Sequence, residues 1–426
     1  MKNPATTFFA LILFALAGLF FIATGFLPAD EIKSDQKKDL KNRSESFTPS
    51  LEFQQIEKAA DNLSNLASYS ELINQLVNKF EKNYLTSLTS KRKGEYGNSF
   101  NLLYPMLSSY PQYYRYYDEL IFSAKASDNL KRIQKFIETE KSNTKYFDYL
   151  SALYFYHTNQ YSKSIDLLKD KNDFEAQYLL SYSYRGIGDY ESALSVLNQA
   201  QSLLQKESYE LSKVLISKGS LYLLSGKYNE ADKFYNSGLE SAKVSGNKRE
   251  VVKALVNLAI LDDQNGNIHE AKLKLEYALQ ISKAIEDKEL EATVLSEFAV
   301  SYTYSGNVVE AKNNYEKSFE TFKVLNHKER LSNLCANIAS LYSQTANYSL
   351  AIEYYNNGFD FAGDNVVSKV LNLRGLGDIY SNISNYSKSL EYYEAAKELA
   401  KQIKDVATES SVDVSIGTLY YNINKP

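Results

Sequence analysis

A six-residue motif recurs along most of this chain at a spacing that few folds can produce. Each copy closes on Ala or Ser, and four of the six copies that close between Ala193 and Ser389 begin with Gly. The closing residues of these copies are separated by 38, 40, 40, 40 and 38 positions, and Ser164 closes a shorter unit 29 positions before the first. A period of this length indicates a repeat protein, in which one supersecondary unit is stacked on the next.

Two other columns of the repeat indicate that each unit is a pair of packed helices. Twelve residues before each closing residue stands Gly, Ala or Ser, and three residues later there is usually an aromatic side chain. Helices approach closely only where a small side chain leaves room, and the aromatic side chain fills the wedge beside it. The Gly at the start of the motif is expected to end one helix in a left-handed cap and lead into the next. The small residues are Ala152, Ser181, Gly219, Ala259, Ala299, Ala339 and Gly377.

These columns resemble the tetratricopeptide repeat (TPR). The period near 40 and the segments 255–259 and 337–339 are similar to the long-helix variety of that family, found in kinesin light chains and in bacterial peptide-sensing regulators. The resemblance covers about residues 145–426, and it implies an all-α fold, a right-handed α-solenoid of stacked helical hairpins. The chain departs from the family in lacking the usual Trp of the first helix and in placing Asp262 in the aromatic column.

The same pattern divides the chain into segments. Residues 30–50 form a polar linker of mixed charge, and residues 51–144 have apolar side chains at helical spacing, which predicts degenerate hairpins of the same kind. Residues 410–426 repeat the first-helix pattern once more, as a capping helix or as a truncated eighth repeat, and their apolar character leaves self-association open. Seven repeats are expected within residues 145–410, at 145–173, 174–211, 212–251, 252–291, 292–331, 332–369 and 370–409.

Residues 1–29 contain an uncharged apolar stretch of 20 residues, from Phe8 to Leu27. At about 1.5 Å per residue, a helix of this length spans roughly 30 Å, the thickness of a bilayer core. The stretch predicts an amino-terminal transmembrane helix, with a cleaved signal sequence as the alternative. The basic residues after it favour a cytoplasmic body, whereas the short flank before it and the acidic pair Asp30 and Glu31 favour an exported one. We expect a membrane protein with one span and an extracytoplasmic, periplasmic body.

Composition and motifs argue against several other function classes. A net charge of −4 does not supply the basic field that a nucleic-acid partner requires. His157, His269 and His327 form no pair at metal-ligand spacing, and the single Cys335 stands in a large-apolar column of the repeat. No phosphate-binding loop or dinucleotide fingerprint occurs in a strand-turn-helix setting. We therefore predict no enzyme, no cofactor and no metal ion.

The first helices of such repeats line a concave inner wall. The predicted wall is rich in aromatic, amide and hydroxyl groups, which suits an extended peptide because amides can bond its backbone and Tyr offers rigid contact area. By the resemblance, Asn257 and Asn337 match the Asn that clasps peptide backbones in long-helix repeats, whereas the basic clamp that grips chaperone carboxyl termini is absent. The predicted wall residues are Tyr178, Tyr182, Lys213, Ser217, Asn257, Ile260, Gln264, Ser296, Tyr304, Asn337, Ser340, Arg374 and Asp378.

The sequence thus predicts a membrane-anchored scaffold whose concave groove binds a protein or an extended peptide and so assembles a complex. The alternative is the sensory or regulatory module of a signalling system. No kinase or DNA-binding domain is evident in the 426 residues, so this alternative needs an effector on a partner chain or in a missing carboxyl-terminal part.

Overall fold

The chain was analysed as a computed structural model, and every regular element in the part it describes is a helix. The segment predicted as an anchor, 1–29, and the linker up to residue 49 lie outside the described residues. The structure describes residues 78–109, 112–140, 142, 144–205, 208–363, 365–402 and 406–423, together with Ser50, Phe53, Glu57, Ile73, Asn74 and Leu76.

The predicted membrane localisation needs correction. Among the residues that the structure describes, no helix has both the length and the apolar character needed to cross a bilayer. The predicted span from Phe8 to Leu27 lies outside those residues. The described helices instead bury one face against their neighbours and carry polar or charged residues on the other. This finding contradicts the prediction of a membrane protein with a single span and a periplasmic body.

An aromatic-rich set of helices precedes the regular repeats. The rings of the buried Phe53 and Tyr84 and of the partly buried Tyr113 lie with their centroids 5.5–5.9 Å apart, and Tyr116 and Tyr117 are buried in the same cluster. Such ring pairs stabilise a core beyond the area that they bury. The helices of this region are α1 (Lys79–Arg92), α2 (Tyr96–Leu103), α3 (Tyr114–Lys125) and α4 (Leu130–Thr139), with a 3-10 helix (Tyr104–Ser109) between α2 and α3.

From Lys145 onward the helices pack as successive hairpins, which confirms the predicted α-solenoid of stacked helical hairpins. Each helix contacts its hairpin partner most extensively and then the next hairpin along the chain. The hairpins are α5 (Lys145–His157) with α6 (Tyr161–Leu168), α7 (Phe174–Gly186) with α8 (Tyr190–Ser202), α9 (Leu211–Leu224) with α10 (Tyr228–Ser245), α11 (Lys248–Gln264) with α12 (Ile268–Ala284), α13 (Lys288–Tyr304) with α14 (Val308–Val324), α15 (Lys328–Gln344) with α16 (Tyr348–Phe361), and α17 (Val366–Asn382) with α18 (Tyr386–Gln402); α19 (Val406–Ile423) follows.

The recurring motif makes the turn inside each hairpin. Its first residue has a positive φ in the seven hairpins, from 57° at Ala346 to 80° at Gly266. Gly adopts this left-handed conformation without a steric penalty, whereas Ala346 and Ser384 adopt it at a cost. The small-residue column then allows the two helices to meet. A Cβ atom on Gly219 would lie 2.6 Å from the ring of Tyr235, and one on Gly377 would lie 2.4 Å from the ring of Tyr393.

The stack curls until its amino-terminal helices meet the connection between α14 and α15. We call this contact the seam. Its apolar part joins Phe122 and Gly94 to Leu325, so closely that a Cβ atom on Gly94 would lie 2.5 Å from Cδ2 of Leu325. Its polar part consists of two ion pairs, Lys125–Glu329 at 2.8 Å and Lys328–Asp128 at 3.0 Å. Because of the seam, α1 to α15 surround a central space as a closed ring.

The last helices continue the stack beyond this ring. Val412 and Leu419 of α19 are buried against α18, and Lys397 and Asp413 form an ion pair of 2.5 Å between the two helices. The opposite face of α19 exposes Val414, Tyr420, Tyr421 and Ile423.

Candidate ligand-binding cavity

The ring encloses a cavity of about 330 Å³, here called the main cavity. Its wall is built from the concave faces of successive first helices, α5, α7, α9, α11 and α13, and it is completed by α1, α3 and α15. An adjoining space of about 240 Å³, the side cavity, shares Lys213, Glu250 and Lys253 with it and extends towards α1 and α3. Each repeat contributes the same face of its first helix. Residues at equivalent positions of successive repeats therefore form most of the wall.

Three hydroxyl groups meet on this wall. The hydroxyl oxygens of Tyr178 and Tyr182 are 2.9 Å apart, and Ser217 Oγ lies 3.0 Å from the first and 3.1 Å from the second. Tyr178 and Tyr182 share a face of α7 because they are four residues apart, and Ser217 comes from α9. Burial raises the pKa of Tyr178 well above its usual value of 10, so it stays protonated at neutral pH. The three groups can donate or accept hydrogen bonds as a ligand requires.

Arg185 lies beside these hydroxyl groups. Its guanidinium is 4.5 Å from the ring centroid of Tyr182 and hydrogen-bonds the hydroxyl of Tyr156. The rings of Tyr156 and Tyr182 are edge to face, with centroids 6.1 Å apart. This part of the wall therefore offers an aromatic surface and a planar cation together.

Most cations of the main cavity are paired with carboxylates. Among the described residues, however, no carboxylate oxygen lies within 4.0 Å of the Lys213 ammonium, whose contact is the Tyr209 ring at 5.4 Å. Burial lowers the pKa of Lys213, and the nearby charge of Arg115 lowers it further. The paired cations are Lys91 with Glu119 at 2.8 Å, Lys253 with Glu250 at 2.5 Å, and Arg330 with Glu289 at 3.7 Å.

Two other titratable groups of the wall have strongly shifted pKa values. Burial raises the pKa of Asp118 to about 6, although the hydroxyl of Tyr149 donates to its carboxylate over 2.7 Å and opposes the shift. Burial lowers the pKa of His157 to about 3, and the charge of Lys125 acts in the same direction. At neutral pH the wall therefore holds an ionised Asp118 and a neutral His157.

Five of the predicted wall residues come together in the main cavity: Tyr178, Tyr182, Lys213, Ser217 and Asn257. Asn257 donates from Nδ2 to the carbonyl of Lys253 in its own helix over 2.9 Å. Its side-chain oxygen is the group that remains to accept a hydrogen bond from a ligand.

The other eight predicted wall residues line neither cavity. Ile260 and Ser296 are buried in helix packing, 8% and 9% exposed. Gln264 and Tyr304 lie at the carboxyl ends of α11 and α13. The remaining four are Asn337 and Ser340 on α15 and Arg374 and Asp378 on α17, where Arg374 donates to Ser411 of α19 and Asp378 accepts from Tyr393.

The repeat spacing could have located one wall residue that sequence reasoning missed. Lys253 stands 40 positions after Lys213, at the same point of the next repeat, and it lines both cavities. Glu297, which stands 40 positions after Asn257 and next to the predicted Ser296, lines neither cavity. Burial raises the pKa of Glu297 to about 7, with a contribution from Asp263 of α11. Three wall residues belong to α3, in a region without a clear repeat, so no periodic pattern in the sequence predicts them. They are Asp118, Glu119 and Phe122.

Comparisons with known proteins agree with the hairpin pattern. A family model described as tetratricopeptide repeat matches residues 174–203, 212–244 and 332–365, and a second model with that description matches residues 373–407. These segments coincide with the hairpins α7–α8, α9–α10, α15–α16 and α17–α18. Comparison with curated proteins gives no match.

Several solved structures resemble the chain at low sequence identity. A Rap protein complexed with competence and sporulation factor is 12% identical, with a TM-score of 0.48 over 78% of this chain and 98% of that one. The apo form of RapI is 18% identical, with a TM-score of 0.47 over 61% of this chain and 98% of that one. BtubC from P. vanneervenii is 18% identical, with a TM-score of 0.40 over 51% of this chain and 91% of that one.

Proposed function

The chain is a tetratricopeptide repeat protein, and from this premise we propose that it is a protein-interaction module that holds a short peptide segment of a partner in the main cavity. The observation that carries the proposal is the wall of α7, α9 and α11, where Tyr178, Tyr182, Ser217 and Asn257 line one cavity. Rigid aromatic rings with hydroxyl and amide groups between them are the chemistry that recognises a peptide backbone and its side chains.

The size of the cavity limits what the module holds. Pockets for small ligands usually measure about 300–1,000 Å³. The main cavity, about 330 Å³, falls in that class, and the side cavity, about 240 Å³, is somewhat smaller. A folded domain would need a surface of about 800 Å² on each partner, and cavities of this volume are too small to hold one. The proposed ligand is therefore a segment of a few residues.

Binding rather than catalysis is the proposed activity. The one thiol of the chain, Cys335, is fully buried, and burial raises its pKa to about 12, so it is not a nucleophile at neutral pH. The hydroxyl groups of Tyr178, Tyr182 and Ser217 bond one another, and in the part of the chain that the structure describes no carboxylate or imidazole hydrogen-bonds to them as a base would.

A regulatory role is the second candidate, and the seam favours it. The contact between Leu325 and Gly94 joins the two ends of the ring. A ligand that binds more tightly to one state of this contact than to the other would shift the balance between the closed and the open ring. A partner that recognises only the open or only the closed ring would then respond to the ligand.

Site-specific photo-crosslinking tests the proposed function. Tyr178 is replaced by p-benzoylphenylalanine, the full chain is illuminated in the cells that express it, and crosslinked peptides are identified by mass spectrometry. The matched control carries the same group at Tyr277, a 49% exposed position on the outer helix α12. We expect a defined polypeptide to crosslink at position 178 and not at position 277. Crosslinks at position 277 alone, or the same products at both positions, would contradict the proposal.

A further inference from the structure

Helix α19 carries the first-helix pattern of the repeat, but its small residue is packed differently from those before it. Gly417 stands in the small-residue column, 40 positions after Gly377. In the earlier repeats this column is buried, and a Cβ atom on Gly219 would lie 2.6 Å from the ring of Tyr235 in the second helix. A Cβ atom on Gly417 would have no neighbouring atom of the described residues within 4 Å. The side of α19 on which a second helix would pack is therefore open in the described part of the chain.

The hairpins show which side chains fill this position. In three of them the second helix brings two adjacent aromatic side chains to the first helix. In the last hairpin, Tyr392 stacks on Tyr380 with the ring centroids 5.4 Å apart and the planes at 8°. The next residue, Tyr393, provides the ring nearest to the Cβ position of Gly377. The same stacking joins Tyr222 to Phe234 at 5.1 Å and Tyr342 to Tyr354 at 5.6 Å.

Helix α19 contains both halves of this arrangement. Its adjacent aromatic side chains, Tyr420 and Tyr421, are 48% and 65% exposed. Gly417 precedes Tyr421 by four residues, as Ser389 precedes Tyr393 in the second helix α18. The helix thus has the small and aromatic residues of a first helix and also the small residue and aromatic pair of a second helix. Its exposed stripe at helical spacing contains no charged side chain and consists of Val414, Gly417, Thr418 and Tyr421.

We propose that α19 pairs antiparallel with the α19 of a second copy of this chain. The register follows from the hairpin of α17 and α18, where position 380 faces 392 and position 377 faces 393. Transferred to two copies of α19, this register stacks Tyr420 on Tyr420 of the second copy. It then places Gly417 opposite Tyr421 of the second copy, and two-fold symmetry repeats that contact in the other direction. A two-fold interface requires such a self-complementary set of residues.

The surroundings of the stripe suit such an interface. Val412 and Leu419 lie on the opposite face of α19 and are buried against the preceding hairpin, which fixes the orientation of the helix. The hydroxyl of Thr418 donates to the carbonyl of Val414 in its own helix, so the stripe presents its methyl group without an unsatisfied donor. Tyr side chains are enriched at protein interfaces because they combine a large apolar ring with a polar group. The surface lies outside the ring, so this inference is independent of the proposed ligand in the main cavity.

Analytical ultracentrifugation of the full chain over a series of micromolar concentrations tests the pairing. Gly417→Leu fills the space over which the second copy's ring would lie, and Tyr421→Ser removes that ring. A third variant exchanges the two residues, Gly417→Tyr with Tyr421→Gly. The matched control Tyr277→Ser removes a ring of similar exposure, 49%, from the outer helix α12. Circular dichroism verifies the helix content of each variant.

We expect the wild-type chain and Tyr277→Ser to form dimers. Gly417→Leu and Tyr421→Ser should each raise the dissociation constant at least about thirtyfold, as loss of a central aromatic anchor does. The exchange variant should form dimers again, because positions 417 and 421 face each other across the two-fold axis. A wild-type chain that stays monomeric, whether bare or with a different polypeptide on α19, would overturn the proposal. A dimer that Gly417→Leu leaves intact, or an exchange variant that stays monomeric, would also overturn it.

Discussion

Lys328 donates a hydrogen bond from its ammonium to the carboxylate of Asp128, 200 residues earlier in the chain, over 3.0 Å. This pair and its neighbour Lys125–Glu329 lie where the solenoid meets its own beginning. The concave surface of the first turn consequently surrounds a central cavity.

The apolar part of the seam is expected to contribute most of its stability. Leu325 is 4% exposed, and Leu325→Ala should lower the free energy of unfolding by about 3 kcal/mol, as loss of a buried Leu side chain usually does. Lys328→Ala should change it by less than about 1 kcal/mol, because the Lys328–Asp128 pair is 44% and 65% exposed. Urea denaturation measures both values. Equal effects of the two substitutions would contradict the prediction that the apolar contact contributes more to stability than the ion pair.

Lys213 and Lys253 occupy equivalent repeat positions but should respond oppositely to the same substitution. Lys213→Met removes an unpaired, partly buried charge and is expected to stabilise the ligand-free chain by about 1 kcal/mol. Lys253→Met leaves Glu250, which is 3% exposed, without its ion-pair partner and is expected to destabilise the chain by about 3 kcal/mol. Thermal and urea denaturation test this contrast. A destabilising Lys213→Met would show that Lys213 has a partner in the ligand-free protein.

The turn residue Ala346 is expected to carry conformational strain. Its φ of 57° is left-handed, and Ala346→Gly should stabilise the chain by about 1 kcal/mol. The matched control is Ala395→Gly, at an exposed position inside α18, which should destabilise by a similar amount because Gly is a poor helix former. Denaturation curves of the two variants should therefore move in opposite directions from the wild type. A destabilising Ala346→Gly would contradict the left-handed turn.

Stability should fall as the pH rises from about 4 to about 7, in part because of Asp263. This residue is 8% exposed, and burial raises its pKa to about 7, although a hydrogen bond from Ser301 at 2.9 Å opposes the shift. The folded state then binds more protons than the unfolded state between these pH values, so deprotonation favours unfolding by roughly 1.4 kcal/mol per pKa unit. Asp263→Asn should flatten the pH profile measured by urea denaturation. A profile with the wild-type slope would contradict this role of Asp263.

The repeat period was sufficient to predict the hairpins, but only five of the 25 residues that line the main cavity. Gly219 could be identified because only a very small residue fits against the ring of Tyr235, and that requirement recurs in every repeat. Tyr178 and Ser217 could be predicted as neighbours because each repeat presents the same face to the inside. Because each repeat has the same local requirements, the residues that meet them recur at a fixed spacing in the sequence.

No periodic pattern in the sequence predicts the seam or the pairing of charges in the cavity. The contact between Gly94 and Leu325 joins a region without a clear repeat to a turn far along the chain. Whether Glu210 pairs with Lys213 or with Arg115 depends on that closure, which no single repeat encodes.

Zero-length carbodiimide crosslinking tests the closed ring most directly, because it joins an amine to a carboxylate only when the two are in contact. The pair Lys397–Asp413, 2.5 Å apart between adjacent helices, serves as the positive control. We predict that mass spectrometry of the monomeric product will find amide links between Lys125 and Glu329 and between Lys328 and Asp128, alongside the control link. A product that contains the Lys397–Asp413 link but neither seam link would show an open solenoid and contradict the closed ring.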